Sequence, residues 1–302
     1  MANLRSLVRR RKAIRNIRKI TKTMELIATA RFKKAFDRAT EADAYTRKIA
    51  ELAADLSKNA GEVSHPLLAA RPVVKKVLVL VITANRGLCG GYNGSILREA
   101  MPKIRALRAA GTEFDLDVSG KRGIAYFKFQ QVPTANAYTN FEDKPKFEDV
   151  DALASRYIDL FVSGQVDQVV VVYQKFVTAA KQYPVTETLL PLSSVAVETT
   201  KKVAATEPAA EPAAVASVGY EFFPNAADIL GELVPVAFKV RLFKAFLDAA
   251  VSEQIARRVA MKAATENAGD LIKGVTRLYN RTRQANITKE ISELIAGSEA
   301  LK

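Results

Sequence analysis

The stretch SEQIARRVAMKAATENAGDLIKGVTRLYNRTRQANITKEISELIAG, Ser252 to Gly297, decides the fold. It contains no proline, and none follows Pro235. From Val236 onward apolar residues recur at steps of mainly three and four: Val240, Phe243, Phe246, Leu247, Val251, Ile255 and Val259, then Ala263, Leu271, Val275, Leu278, Ile287, Ile291 and Leu294. Steps of that size put side chains on one stripe of an α-helix. About 60 residues at ~1.5 Å each make a rod of roughly 90 Å, longer than a compact domain needs in its core, so the rod is expected to project. Its stripe needs a partner, because tertiary packing supplies most helical stability.

The opposite end of the chain offers one. Leu4, Leu7, Ile14, Ile17, Met24, Ile27, Phe36, Tyr45, Ile49, Leu52 and Leu56 repeat the helical spacing. Asn3 to Ser57 contains neither glycine nor proline, and Gly61 and Pro66 follow where a stop is expected. Two terminal rods around a compact middle predict an antiparallel coiled coil. The organisation read from this is a helix over 1–60, an α/β domain over 61–234 and a second helix over 235–302.

The middle reads as alternating strands and helices. Val77 to Ile82 is a continuous apolar run, the pattern of a strand buried on both faces of a parallel sheet. A glycine-rich loop to Asn93 follows, then a helix over 95–109, a strand over 114–118, a short helix over 124–129, a short strand over 132–138 and a helix over 147–162. In that last helix Tyr157, Leu160 and Phe161 are expected to face inward. A second buried strand spans 166–173 and an edge strand 185–197. This order predicts a doubly wound layer. The Ala- and Pro-rich segment 201–218 is read as a flexible insertion. A strand over 220–223 and a short helix to Leu233 precede Pro235, where a kink or break is expected.

The net charge of +14 is unevenly spread. Residues 1–48 hold 15 Lys and Arg against 4 Asp and Glu, and residues 236–302 hold 12 against 7, so the basicity belongs to the rods. A basic rod suits nucleic acid, an anionic membrane or an acidic protein sleeve, and an ordinary solvated coil surface is the plainer reading. The apolar tip Ile287–Ile295 overhangs any cover the first helix can give it, which favours insertion into a protein cavity. The Arg-rich N-terminus also has a transit peptide's composition, but its stripe runs on past any plausible cleavage point.

No reaction is proposed by the remaining residues. Arg86 to Gly91 joins a strand to a helix but lacks both the dinucleotide fingerprint and the Gly-Lys-Ser/Thr ending of a P-loop. Cys89 and His65 are the single cysteine and histidine, too few for a triad or a zinc site and pointing to a structural thiol in a reducing compartment. The expectation is no catalytic site, no cofactor and no metal. A nucleic-acid-binding coiled coil remains an alternative, although aromatic residues are not interleaved with the charges. A dinucleotide-binding enzyme would explain the middle alone.

Four stretches resemble one family. Ile17-Arg-Lys-Ile-Thr-Lys-Thr-Met-Glu-Leu-Ile-Ala28 with Ala30-Arg31 is similar to the basic opening helix of the gamma subunit of the F-type ATP synthase. Asn85-Arg-Gly-Leu-Cys-Gly-Gly-Tyr-Asn93 resembles the loop after its first strand. Ser252 to Arg258 with Ala260 to Asn267, and Arg283 to Glu293, resemble its C-terminal helix and closing signature. The resemblance implies the α/β fold described above: a long antiparallel coiled coil with a central doubly wound (Rossmann-like) domain. It also implies a central rotor shaft, with no catalytic site of its own, that couples proton flow through the membrane c ring to conformational cycling of the catalytic beta subunits. Three alpha and three beta subunits would surround one copy, the epsilon subunit and the c-subunit ring would meet its foot, and neither nucleic acid nor a small-molecule substrate would bind directly. The place implied is the cytoplasmic face of the bacterial inner membrane, peripheral. Met24, Arg86, Arg283, Gln284, Thr288 and Glu290 fall at positions that would face the alpha/beta ring. Ala84-Asn85 stands where the family more often has Ser-Asp. The 201–218 insertion lacks the cysteines of the chloroplast redox switch.

Overall fold

The computed structural model describes residues 4–59, 65–141, 144–192 and 226–299. The expected insertion at 201–218, the strand at 220–223 and the end of the edge strand beyond Leu192 lie outside the described residues, as do the side chains of Tyr45, Leu52 and Leu56. The chain divides into two units, Arg31–Ile255 and the pairing of Met1–Ala30 with Ala256–Lys302.

The larger unit is built on a five-stranded sheet. Its elements in order are β1 (Lys76–Ile82), α2 (Tyr92–Ala109), β2 (Glu113–Ser119), α3 (Lys121–Phe129), β3 (Asn136–Tyr138), α4 (Phe147–Val162), β4 (Gln168–Phe176) and β5 (Gln182–Leu190). They follow the terminal helix α1 (Leu4–Asn59) and precede the terminal helix α5 (Ala226–Glu299). Strand order is β3-β2-β1-β4-β5, parallel throughout except for the antiparallel β5. The apolar runs of β1 and β4 occupy the centre, where both strand faces are covered and every side chain from Val77 to Ile82 is buried. The edge strand runs Gln182–Leu190, starting three residues before the expected 185, and Pro191 and Leu192 after it are outside the strand.

Helix α2 lies against β1, β4 and β5, and α3 against β2. A core on the sheet joins Leu78, Leu80 and Ile82 of β1 with Val169, Val171 and Tyr173 of β4, the apolar stripe of α4, and Val234, Phe238, Leu242 and Phe246 of α5. Tyr157 and Phe161 of α4 are fully inside, while Leu160 is half-buried against the same cluster. Each large side chain buried here contributes about 1.5–3 kcal/mol of transfer free energy. This packing explains why α5 continues through Pro235, where the sequence predicts a kink or break and the helix does not break. Val234, Ala237 and Phe238 on either side of the proline are buried, and their packing sustains the helix past the backbone hydrogen bond that proline cannot make. In the same unit Ala35 and Ala39 of α1 pack on Leu247, Val251 and Ile255, and Ile49 packs on Ala237 and Val240, so the two helices run antiparallel there.

The smaller unit is also an antiparallel helix pair. Leu7, Ile14, Thr21 and Ala28 are buried at seven-residue intervals on α1, and Met261, Ala268 and Val275 at the same interval on α5. Ile14 packs with Ala268, Ile272 and Val275. The Thr265 hydroxyl donates to that of Thr21 over 2.9 Å, and the Arg11 guanidinium stacks on Tyr279. This seam differs from the stripe read in the sequence. Ile17, Ile27, Val259, Leu271 and Leu278 are exposed. Small seam residues let two backbones approach closely, and the larger side chains one step away are left outside.

Candidate functional site

The glycine-rich loop after β1 is occupied with holding itself together. Thr83 Oγ1 donates to the Ser119 carbonyl (2.8 Å) and accepts from the Gly123 N–H (3.0 Å). The Asn85 amide donates to the Thr139 carbonyl (3.0 Å) while its oxygen accepts from the Lys121 N–H (3.1 Å). The Ala84 carbonyl accepts from the Arg122 N–H. Three N–H groups of the first turn of α3 are thereby satisfied within the chain, so this helix end presents them to no phosphate. An asparagine at 85 suits the place because it both donates and accepts, which a carboxylate does not. Asn93 closes the other side, accepting from the Ala84 N–H and donating to the sulfur of buried Cys89. Arg86 projects from this loop into solvent.

Doubly wound sheets take ligands in the crevice beyond the carboxyl ends of the strands, where the strand order reverses. Here that point lies between β1 and β4, and α5 fills it. Phe246 packs on Phe141 with ring centroids 4.5 Å apart. The Tyr92 hydroxyl donates to the Ala249 carbonyl (3.1 Å), and the Ser252 hydroxyl to the Gln174 carbonyl (3.3 Å). A pocket of about 20 Å³ remains among Ile82, Thr83, Ser119 and Ala250, smaller than a nucleotide needs.

Sequence reasoning missed three polar clusters. Asp117, wholly buried in β2, accepts from Asn136 (2.7 Å), Tyr157 (2.9 Å) and Tyr138 (3.2 Å), and Arg156 approaches to 3.5 Å. Burial, reinforced by Asp117, pushes the Tyr138 phenol up to about 12 and Tyr157 well above its ordinary value. Asp167 takes the N–H groups of Lys75 and Lys76 and the Arg71 guanidinium; burial alone would raise its pKa, and these donors outweigh it and lower the pKa. Glu187 is likewise lowered, burial being overcome by Lys175 and Tyr173. The sequence signal was an acid in the middle of a strand, Asp117 in Glu-Phe-Asp-Leu-Asp-Val-Ser. All three tie elements together. Among the described residues no group of three or more His, Cys, Asp or Glu is placed to hold a metal ion.

The smaller unit presents the surface suited to a partner. Met24 is half-buried beside its seam, whereas Arg283, Gln284, Thr288 and Glu290 are all exposed on α5. Leu4, the first described residue of α1, is half-buried, and from Ile287 to Glu299 every residue of α5 is exposed, including Ile287, Ile291, Leu294 and Ile295. The described structure therefore brings Arg283, Gln284, Thr288 and Glu290 onto one helix end; Arg86 belongs to the other unit. No described helix is long and apolar enough to cross a membrane.

A family model described as ATP synthase matches residues 3–301. The ATP synthase gamma chain of Rhodopirellula baltica is 51% identical over 302 residues, covering 100% of both chains. That of Leptospira biflexa is 40% identical over 301 residues, again covering 100% of both. Among solved structures, a chain of the Euglena gracilis mitochondrial ATP synthase (OSCP/F1/c-ring, rotational state 3) superposes with a TM-score of 0.65 at 18% identity, covering 99% of this chain and 94% of that one. A chain of the same organism's ATP synthase rotor (rotational state 1) gives 0.58 at 16%, covering 94% and 98%. The chain belongs to the ATP synthase gamma chain family, and by that membership is a subunit of an enzyme complex.

Proposed function

We propose that this chain is the central rotor shaft of an F-type ATP synthase, coupling proton flow through a membrane c ring to conformational cycling of the catalytic beta subunits. The observation that carries the reading is full-length kinship to gamma chains combined with a basic antiparallel helix pair whose end is uncovered. The terminal segments 1–60 and 235–302 act as the shaft and 61–234 as its foot. Three alpha and three beta subunits surround one copy, while the epsilon subunit and the c ring meet the foot. The chain itself catalyses nothing and binds neither nucleotide nor nucleic acid. It acts as a ligand whose contacts differ among the three beta sites, which is what biasing a conformational equilibrium requires. Met24, Arg86, Arg283, Gln284, Thr288 and Glu290 are its contacts with the ring. The complex works at the cytoplasmic face of the bacterial inner membrane.

The test is reconstitution with purified alpha and beta subunits of a gamma-depleted enzyme. A stable assembly containing one copy of this chain, with cooperative ATP hydrolysis, is expected. Failure to assemble with subunits that accept another gamma chain overturns the reading.

A further inference from the structure

The amino ends of three strands lie side by side in the larger unit, because β1 pairs in parallel with both β2 and β4. The segments leading into them are tied together. Arg71 donates to the Phe161 carbonyl (2.6 Å) and to Asp167 (2.8 Å), and the Lys75 and Lys76 N–H groups also donate to Asp167. The Glu113 N–H donates to the Lys75 carbonyl (3.0 Å). The loop before β1, the turn from α2 to β2 and the turn from α4 to β4 therefore form one end surface.

That surface is unlike an ordinary set of exposed loops. Residues 69–74 and 109–111 hold no polar side chain other than Arg71. Val73 and Val74 are 63% and 40% exposed, and Val162 of the neighbouring turn is 53% exposed. A cluster of apolar side chains that the core does not use marks a contact surface. Its margin is basic: Lys75 stands beside the valines, and Arg105 and Arg108 stand near the end of α2, all three exposed. Asp167 is buried, and among the described residues of 65–75, 105–113 and 162–167 Glu113 is the one exposed acid. The same residues include no aromatic side chain, whereas protein interfaces depend on large anchors set in pockets. Small apolar residues ringed by cations suit a partner that is anionic at its surface and apolar just beneath, which is the headgroup layer of an acidic bilayer.

We propose that this end of the larger unit is a contact for anionic phospholipid, with Val73, Val74 and Val162 at the acyl boundary and Lys75, Arg105 and Arg108 on the phosphates. The inference stands on the larger unit alone and not on the rotor reading. Assembly with other subunits and hydrolysis in solution do not report on it.

The chain contains no tryptophan, so Val73→Trp places a single fluorescent reporter on the patch, at a site exposed enough to accept it. The full-length variant is titrated with vesicles of equal parts phosphatidylglycerol and phosphatidylcholine. A blue shift of the emission is expected, with quenching by lipid brominated high on the acyl chain, and neither effect on pure phosphatidylcholine. Adding Lys75→Gln/Arg105→Gln should weaken vesicle binding roughly twentyfold, since each basic side chain at an anionic surface is worth about fivefold, and high salt should shrink that difference. Because the terminal helices are basic too, Leu278→Trp in the otherwise unchanged chain reports on them separately. Arg10→Gln/Arg277→Gln, which removes the same charge from those helices, should leave the blue shift at position 73 in place. No shift at position 73, an equal shift on pure phosphatidylcholine, or a larger shift at position 278 than at 73 overturns the proposal. So does an equal shift with polyglutamate in place of vesicles, because the patch then takes an acidic polypeptide.

Discussion

The Tyr92 hydroxyl donates to the Ala249 carbonyl over 3.1 Å, joining the first turn of α2 to α5 across the crevice between β1 and β4. The place where a doubly wound sheet ordinarily takes a ligand is occupied by the chain's own terminal helix. Tyr92→Phe should cost about 0.5–1.5 kcal/mol, the net worth of one hydrogen bond. Phe246→Ala, which empties the adjoining ring stack, should cost about 3–5 kcal/mol. Urea denaturation of the full chain measures both, and equal costs would mean that the crevice is not packed as described.

The seam of the smaller unit makes a sharper contrast. Ile14→Ala should destabilise the helix pair by about 2–4 kcal/mol, because Ile14 is buried against Ala268, Ile272 and Val275. Leu271→Ala should change stability by no more than about 0.5 kcal/mol, since its side chain is exposed. Helical circular dichroism followed on heating separates the two. The stripe read from sequence predicts a large loss at Leu271.

Asp167 ties the entrance of β1 to the loop before β4 through Arg71, Lys75 and Lys76. Its pKa is lowered on folding, so its contribution is present above the ordinary aspartate value and disappears as pH falls through the lowered one. Asp167→Asn should therefore cost about 1–3 kcal/mol at pH 7, and the difference from the parent chain should close at the acid end. Denaturation curves at neutral and acid pH check the sign; a gap that widens on acidification would contradict the assignment.

At the alkaline end the Asp117 cluster contributes through its tyrosines. Tyr138, pushed up to about 12, keeps its proton in the folded chain beyond the pH where an unfolded tyrosine, near 10, loses it. Its contribution is full below about 10 and is lost as pH rises toward 12. Tyr138→Phe should remove that part of the alkaline loss, seen by comparing denaturation midpoints between pH 9 and 11. Asp117→Ala, which leaves the buried Tyr157 hydroxyl without its carboxyl acceptor, should cost about 2–5 kcal/mol at pH 7.

Gly120 has φ of +100°, and a Cβ there would stand 2.1 Å from the Thr83 carbonyl oxygen. Gly120→Ala must move the loop that carries Arg86, with an expected loss of about 2–4 kcal/mol from strain and displaced backbone. Thermal melting of the variant tests this, and an unchanged midpoint would show that the loop has room to shift.

Much of this was legible in the sequence. Apolar runs such as Val77 to Ile82 fixed the central strands, because a side chain on either face of a middle strand has no route to water. Freedom from glycine and proline over 3–57 fixed the first helix, and the four quoted stretches identified the family. Tertiary structure decided what depends on distance between segments. A helical period tells which residues share a stripe, but neighbouring stripes on one helix differ by a single step. The small residues Ala28, Thr21, Ala268 and Thr265 won the seam, since backbones can approach over them, and Leu271 and Leu278 were left outside. Likewise the local sequence marks Pro235 as a kink or break, whereas burial of Val234 and Phe238 in a core drawn from distant strands keeps the helix from breaking there. The pairing of Asp117 with Tyr157, 40 residues away, left no trace in spacing, because hydrogen bonds between segments follow from the packing of layers and not from local period.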